Sequence, residues 1–410
     1  MKGGFGLKKI LLVGTLDTKG EEFQFIKERI EEGGAETIVM DCGIKGKPPI
    51  SPDITSAEVA KEGGEALEQL IQADDRGKAI DVMMSGAARL ALKFFESGDI
   101  SGVLSLGGSA GTTIGTQAMQ ALPVGVPKVM VSTLASGDTR PFVGVKDITM
   151  VHSVVDISGI NPFSSQILAN AAFAILGMVK GEVPEIKEEK PLIAATMFGL
   201  TTPCVTKARE YLEDQGYDVL VFHATGIGGQ AMESLIEAGY ISGVLDVTTT
   251  EWCDELVGGV FSAGPERLEA AAQANIPQVV STGALDMVNF GGIDTVPEPL
   301  KERHLYKHNA NITLMRTNTE ENKQLGKILS EKVNKAKAPA ALFLPLHGVS
   351  GIDQEGQPFY GPEEDRALFD SIKQHVTSEA VEVIERNQHI NDEEFALAMA
   401  QKLVQLMEQN

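Results

Sequence analysis

Short apolar runs alternate with stretches of helical period from one end of the chain to the other. In the first half, residues 10–13, 37–41, 80–84, 102–106 and 128–131 are apolar and strand-length, which predicts buried strands. Residues 21–32, 56–72, 87–97 and 113–121 lie between them and predict helices. In the first of these helices Phe23, Ile26 and Ile30 share one face, and Glu21 and Glu22 sit in the first turn, where the helix dipole favours acids. Such alternation is the pattern of a parallel sheet covered on both faces.

The segment Gly181-Glu-Val-Pro-Glu-Ile-Lys-Glu-Glu-Lys-Pro191 breaks this pattern. It carries many charges and two prolines, has little to bury, and predicts a domain boundary. The alternation then restarts with a strand at 192–197, a helix at 203–215 and a strand at 218–222. Further elements are predicted at 232–238, 243–247, 265–274, 278–280, 319–335 and 340–344, with a last helix over 392–407. A repeat supports the division. Ile100-Ser-Gly-Val-Leu104 recurs as Ile241-Ser-Gly-Val-Leu245, and Val126-Pro-Lys-Val-Met-Val-Ser-Thr133 is echoed by Ile276-Pro-Gln-Val-Val-Ser-Thr282. The expectation is a duplicated α/β unit: lobes 1–183 and 191–410, facing each other across a cleft that holds a ligand.

Composition narrows the partners. At 410 residues the chain exceeds one ordinary core, and its 43% hydrophobic content suffices for two. A formal net charge of −22 argues against a nucleic-acid backbone as main partner, because that requires a concentrated basic face. Cys42, Cys204 and Cys253 are scattered, without the spacing of a disulfide framework or a zinc site, which suits a reducing compartment. The run 167–179 is the most membrane-like stretch, but it is short and reads as a buried helix. With no secretory pattern at the start, a cytoplasmic location and no membrane partner are expected.

Two strand-to-helix junctions carry the chemistry. Ser105-Leu-Gly-Gly-Ser-Ala-Gly-Thr112 follows an apolar run and precedes a helical one. Gly107, Gly108, Ser109, Ala110 and Gly111 thus form a turn whose backbone can approach a phosphate, with helix N–H groups facing the charge. The loop lacks the lysine of a P-loop and is not a dinucleotide fingerprint, so a tight turn without ligand competes with this reading. Gly14-Thr-Leu-Asp-Thr-Lys-Gly20 is the second junction, where Asp17, Thr18 and Lys19 offer an acid, a hydroxyl and a cation. Thr18 also suits a helix cap. Two such turns at neighbouring strand ends are where an open α/β sheet binds ligands.

Other polar loops are less distinctive. Arg89 is placed by the predicted strand at 80–84 at the start of a helix, within reach of the same crevice. Asp138 and Arg140 lie in a long polar loop after the strand at 128–131. In the second half His223, Glu251 and Asp286 stand at strand ends as weak general acid or base candidates, and His347 ranks below His223. Each is more often structural. His304 and His308 lie among Lys301, Arg303 and Lys307 and read as an exposed basic segment; no metal site is predicted. No G-x-S-x-G elbow occurs.

The same residues carry a family resemblance. Gly14-Thr-Leu-Asp-Thr-Lys19, Leu106-Gly-Gly-Ser-Ala-Gly-Thr112 and Val124-Gly-Val-Pro-Lys-Val129 are part of it, as is Ser153-Val-Val-Asp-Ile157. It continues through Thr196-Met-Phe-Gly199, Phe222-His-Ala-Thr-Gly226, Gly283-Ala-Leu-Asp-Met-Val-Asn-Phe-Gly291 and Leu314-Met-Arg-Thr317. With these the chain resembles the ATP-binding, two-domain region of the tomato mosaic virus resistance protein family and its bacterial relatives. The resemblance implies two Rossmann-like lobes, a homodimer, and ATP with or without Mg²⁺ in the first lobe. The matching positions are Asp17, Thr18, Lys19, Arg89 and Gly107 to Ala110. Family members usually carry glycine where this chain has Ala110, a methyl group that narrows the turn. The expected function is therefore nucleotide binding with a small-molecule site in the cleft. The alternative is an enzyme acting on a phosphorylated or carboxylated metabolite, with the glycine loop holding substrate phosphate.

Overall fold

In the computed structural model, which describes residues 9–182 and 190–409, the chain divides into two compact units, Met1–Glu185 and Ile186–Asn410. The charged core of the predicted boundary, residues 183–189, lies outside the described residues, as do residues 1–8.

The first unit runs β1 (Lys9–Gly14), α1 (Leu16–Glu32), β2 (Glu36–Asp41), α2 (Ser56–Gly63), α3 (Leu67–Ala73), α4 (Arg76–Glu96), β3 (Gly102–Gly107) and α5 (Ser109–Gln120). It ends with β4 (Lys128–Ser132), the single turn α6 (Arg140–Val143), β5 (Thr149–His152) and α7 (Pro162–Lys180). Five parallel strands stand in the order β2-β1-β3-β4-β5. The central strands are buried on both sides, as a doubly covered sheet requires. Alternate residues serve opposite faces. Leu11, Val13, Val103 and Met130 pack towards Met83 and Ile114 of α4 and α5. Ile10, Leu12, Leu104 and Val129 pack towards Phe23 and Ile175 of α1 and α7.

Two sequence expectations are corrected here. Residues 80–84 are not a strand but part of α4, where Asp75 caps the amide of Lys78 and Ala79, Met83, Ala87 and Leu90 are buried at helical spacing. Five apolar residues cannot by themselves separate the two periods. The single helix expected over 56–72 is two, because Gly64 terminates α2 in the left-handed region at φ 105°. Helix α7 is, among the described residues, the one helix long and apolar enough to cross a membrane. Its Leu168, Ala171, Ala172, Ile175 and Val179 belong to the unit's core.

The second unit runs β6 (Leu192–Met197), α8 (Thr202–Asp214), β7 (Asp218–His223), α9 (Ile227–Glu237), β8 (Gly243–Thr248), α10 (Glu251–Val257), α11 (Ala270–Ala274) and β9 (Gln278–Gly283). It continues with β10 (Met287–Phe290), β11 (Leu305–Lys307), β12 (Thr313–Arg316), α12 (Thr319–Val333), β13 (Ala340–Pro345), α13 (Pro362–His375), β14 (Val381–Arg386) and α14 (Glu393–Gln409). Six parallel strands are ordered β14-β13-β9-β8-β6-β7, and β10-β12-β11 form a small antiparallel sheet. Neither that sheet nor α13 and β14 is legible in the apolar pattern. The orders β2-β1-β3-β4 and β7-β6-β8-β9 coincide. Both segments of the repeat fall on equivalent strands, β3 with β8 and β4 with β9.

Candidate functional site

A cavity of about 240 Å³ opens at the carboxyl ends of β1, β2 and β3. Its wall takes Asp17 and Thr18 from the turn after β1, and Gly43, Ile44 and Lys45 from the loop after β2. Ala110 and Ile114 of α5 and Arg76, Ile80 and Met83 of α4 complete it. A second cavity of about 360 Å³ shares Ile44, Lys45 and Arg76 with the first.

The turns are held by backbone geometry. Buried Asp41 accepts hydrogen bonds from the amides of Leu16 at 3.1 Å and Gly43 at 2.8 Å, which locks the β1 and β2 loops together. Burial raises the Asp41 carboxyl above its ordinary range, and the two amides oppose that. Asp17 accepts from the amide of Lys45 at 2.8 Å through one oxygen, while Oδ1 is buried without a partner. No side chain caps the N-terminus of α5, so its first-turn N–H groups and the positive end of its dipole stay available. The methyl of Ala110 lies on the cavity wall. Cys42 also lines it, but burial pushes its thiol far up and makes it a poor nucleophile.

The glycines have a packing role beside any ligand role. A Cβ on Gly107 would lie 2.8 Å from the Cα of Gly111, and one on Gly115 would lie 2.2 Å from Ser105 Oγ. Helix α5 therefore crosses β3 at close range along Gly107, Gly111 and Gly115. A Cβ on Gly108 would meet only Thr133 Oγ1, at 3.8 Å, and Ser109 is exposed. Two cations expected at this crevice point elsewhere. Lys19 donates to the carbonyl of Ile157 in the loop after β5. Arg89, far inside α4 and not at a helix start, donates to the carbonyl of Glu62 at 2.7 Å. Arg76, the first residue of α4, is the arginine on the wall; a strand at 80–84 would leave it in a connecting loop, so the apolar pattern does not single it out. Asp138 and Arg140 pair with each other on the surface.

The second unit's candidates sit in separate surroundings. His223 ends β7 exposed to solvent. Glu251 is fully buried and engaged: Oε2 accepts from Arg267 Nε at 2.7 Å, and Oε1 from the amides of Gly226 at 2.7 Å and Gly229 at 3.0 Å. Buried Arg267 also forms a two-pronged pair with Asp246, at 2.6 and 2.7 Å, and reaches Glu233 at 3.2 Å. Glu251 is a structural counter-ion here, held by a charge its sequence neighbourhood does not announce. Asp286 is buried, accepts from Ser350 Oγ at 2.7 Å, and leaves Oδ1 without a partner. Burial and the neighbouring Asp353 raise its carboxyl to about 7. His304 stacks edge-on against Phe359, and His308 lies near the Tyr306 ring.

A family model for the N-terminal domain of an uncharacterised protein family, UPF0261, matches residues 8–184, and one for its C-terminal domain matches residues 190–407. The chain belongs to the UPF0261 family. A UPF0261 protein of Clostridium tetani is 63% identical, covering 98% of this chain and 99% of its own length. One from Rhizobium meliloti is 45% identical over 96% of this chain and 97% of its own. The tomato ToMV resistance protein Tm-1 is 38% identical over 97% of this chain, which spans 56% of that longer protein. Among solved structures, a UDP complex of MnaA from S. aureus is 11% identical, with 98% and 96% coverage and a TM-score of 0.23. A putative UDP-N-acetylglucosamine 2-epimerase from Listeria monocytogenes has a TM-score of 0.22 at 67% and 79% coverage. Both solved structures are distant from the UPF0261 fold described above.

Proposed function

We propose that the N-terminal unit binds a nucleoside triphosphate, ATP with Mg²⁺ being the form the family resemblance implies. The observation that carries this reading is the shared cavity: the Asp17-Thr18 turn and the uncapped start of α5 line one space. Ile80, Met83 and Ile114 supply an apolar wall suited to a base, and Arg76 supplies a cation suited to phosphate. The unpartnered oxygen of Asp17 suits a ribose hydroxyl or a water on Mg²⁺. The neighbouring cavity, which shares Ile44, Lys45 and Arg76 with the first, offers further room for a longer ligand.

Isothermal titration of the whole chain with Mg·ATP tests the proposal. Saturable binding is expected, weakened about tenfold in Arg76→Ala and little changed in Arg89→Ala. Absence of saturation at about 10 mM nucleotide, or an Arg76→Ala variant indistinguishable from wild type, sinks it.

A further inference from the structure

The first unit carries an apolar face that its own core does not use. Six of the thirteen large apolar side chains exposed among the described residues are grouped in one stretch: Val154, Val155, Ile160, Phe163, Phe173 and Met178. From Ile157 to Val179 the sequence has no charged residue, although 22% of the chain is charged. Single exposed apolar residues are ordinary, whereas a grouped, uncharged set marks an interaction surface. We propose that the outer face of α7 pairs with α7 of a second copy of this chain, antiparallel, about a two-fold axis. The inference uses the surface of the first unit and is independent of the nucleotide proposal.

Helix α7 has two distinct faces. Leu168, Ala171, Ala172, Ile175 and Val179 are buried in the unit's core. On the other side Phe163, Gln166, Asn170, Phe173 and Gly177 are exposed, at successive steps of three, four, three and four residues. That spacing is the seam of a two-helix coiled coil, in which each side chain enters a hole on the facing helix. Asn161 caps the amides of Phe163 and Ser164, so the seam begins on a fixed first turn. At Gly177 an added Cβ would meet nothing within 4 Å, which leaves room there for an incoming side chain.

An antiparallel pairing matches this seam to itself. Setting Phe163 opposite Phe173 of the second copy also sets Gln166 opposite Asn170 of the second copy, and the two-fold axis repeats both layers. The outer layers are then ring against ring. The inner layers are amide against amide. Gln166 Nε2 donates to Asn170 Oδ1 at 3.3 Å within one helix, so the Gln166 carbonyl oxygen can accept from the Asn170 amide of the other. Polar positions within a seam fix its register. Opposed helix dipoles favour this orientation over the parallel one.

Charge selects a second copy over other occupants. A net charge of −22 makes copies repel over most of their surface, and it also repels an anionic lipid surface. Two copies can meet where neither carries charge. A basic protein would find no carboxylate on this face to pair with.

Analytical ultracentrifugation of the whole chain tests this. Wild type is expected to sediment at twice the mass of the 43.7 kDa chain at about 10 µM. Phe163→Glu and Phe173→Glu are each expected to weaken dimerisation about a hundredfold, because each buries two carboxylates in the seam. The double variant Phe163→Glu/Phe173→Lys sets Glu opposite Lys in both outer layers of the antiparallel pair, but like against like in a parallel one. It should dimerise about tenfold more tightly than either single variant. Both positions are exposed, and circular dichroism checks that each variant folds. The proposal is overturned by a wild type that is monomeric at about 100 µM, by a dimer that both single variants leave intact, or by a double variant no tighter than the single ones. Phosphatidylcholine vesicles that carry down monomeric wild type but not Phe163→Glu would also overturn it, since the face would then serve lipid.

Discussion

The two units share a strand order, yet the crevice that is open in one is filled in the other. Counting from the shared Ile-Ser-Gly-Val-Leu segment, Ala110 in the first unit corresponds to Glu251 in the second. Ala110 ends in a methyl on the wall of a cavity. Glu251 reaches back to the amides of Gly226 and Gly229 after β7, the counterpart of the loop after β2 that walls the first unit's cavity. The second unit thus carries a carboxylate, with Arg267 as its counter-charge, where the first carries a methyl. The same strand order thus carries a cavity in one unit and a buried ion pair in the other. A cavity of about 730 Å³ in the second unit lies instead over β13 and β14, strands beyond the shared four.

The comparison breaks most visibly at that ion pair. Arg267→Ala leaves Asp246 and Glu251 buried without their cation, and denaturant unfolding is expected to show a loss of about 3–5 kcal/mol. A loss below about 1 kcal/mol would mean the network does not hold that crevice.

A pH dependence of comparable size is expected from the second unit. The carboxyls of Asp286 and Asp365 are raised from 3.8 to about 7 and about 8. The folded state therefore holds more protons than the unfolded state between those values, so stability falls as pH rises through that window. Thermal unfolding from pH 5 to pH 8.5 should show the decline, and Asp365→Asn should flatten it. A wild-type profile rising with pH there would remove the claim.

Smaller effects sharpen the first unit's side. Gly115→Ala places a methyl against Ser105 Oγ and should cost about 1–3 kcal/mol by overpacking α5 on β3. Ala110→Glu copies the carboxylate into the open crevice and should weaken Mg·ATP binding by at least about 1.4 kcal/mol, read by titration. If affinity is unchanged, the α5 terminus is not where phosphate sits. Arg89→Ala should change stability by no more than about 0.5 kcal/mol, since it gives up one exposed hydrogen bond to Glu62.

The chain pattern alone was enough for the α/β class, for the restart after the charged segment and for the equivalence of β3 with β8. Buried parallel strands must be continuous apolar runs, and such runs survive in sequence. It also marked the Asp17-Thr18 turn and the α5 start that line one cavity. It misplaced Arg89 because a short apolar run in α4 looks the same in either period. It read Gly107 and Gly111 for phosphate, whereas the spacing of four through Gly115 also records helix-on-strand contact.

Which charges meet was decided only by tertiary structure. Arg267 lies 16 residues from Glu251 and 21 from Asp246 along the chain, and Arg316 reaches Asp365 across 49. Local composition sets period and turn chemistry, because these depend on near neighbours. The burial of an ion and the identity of its partner depend on how distant strands are ordered, and no local pattern encodes that. The same holds for the cavities, whose walls come from loops that only the sheet brings side by side.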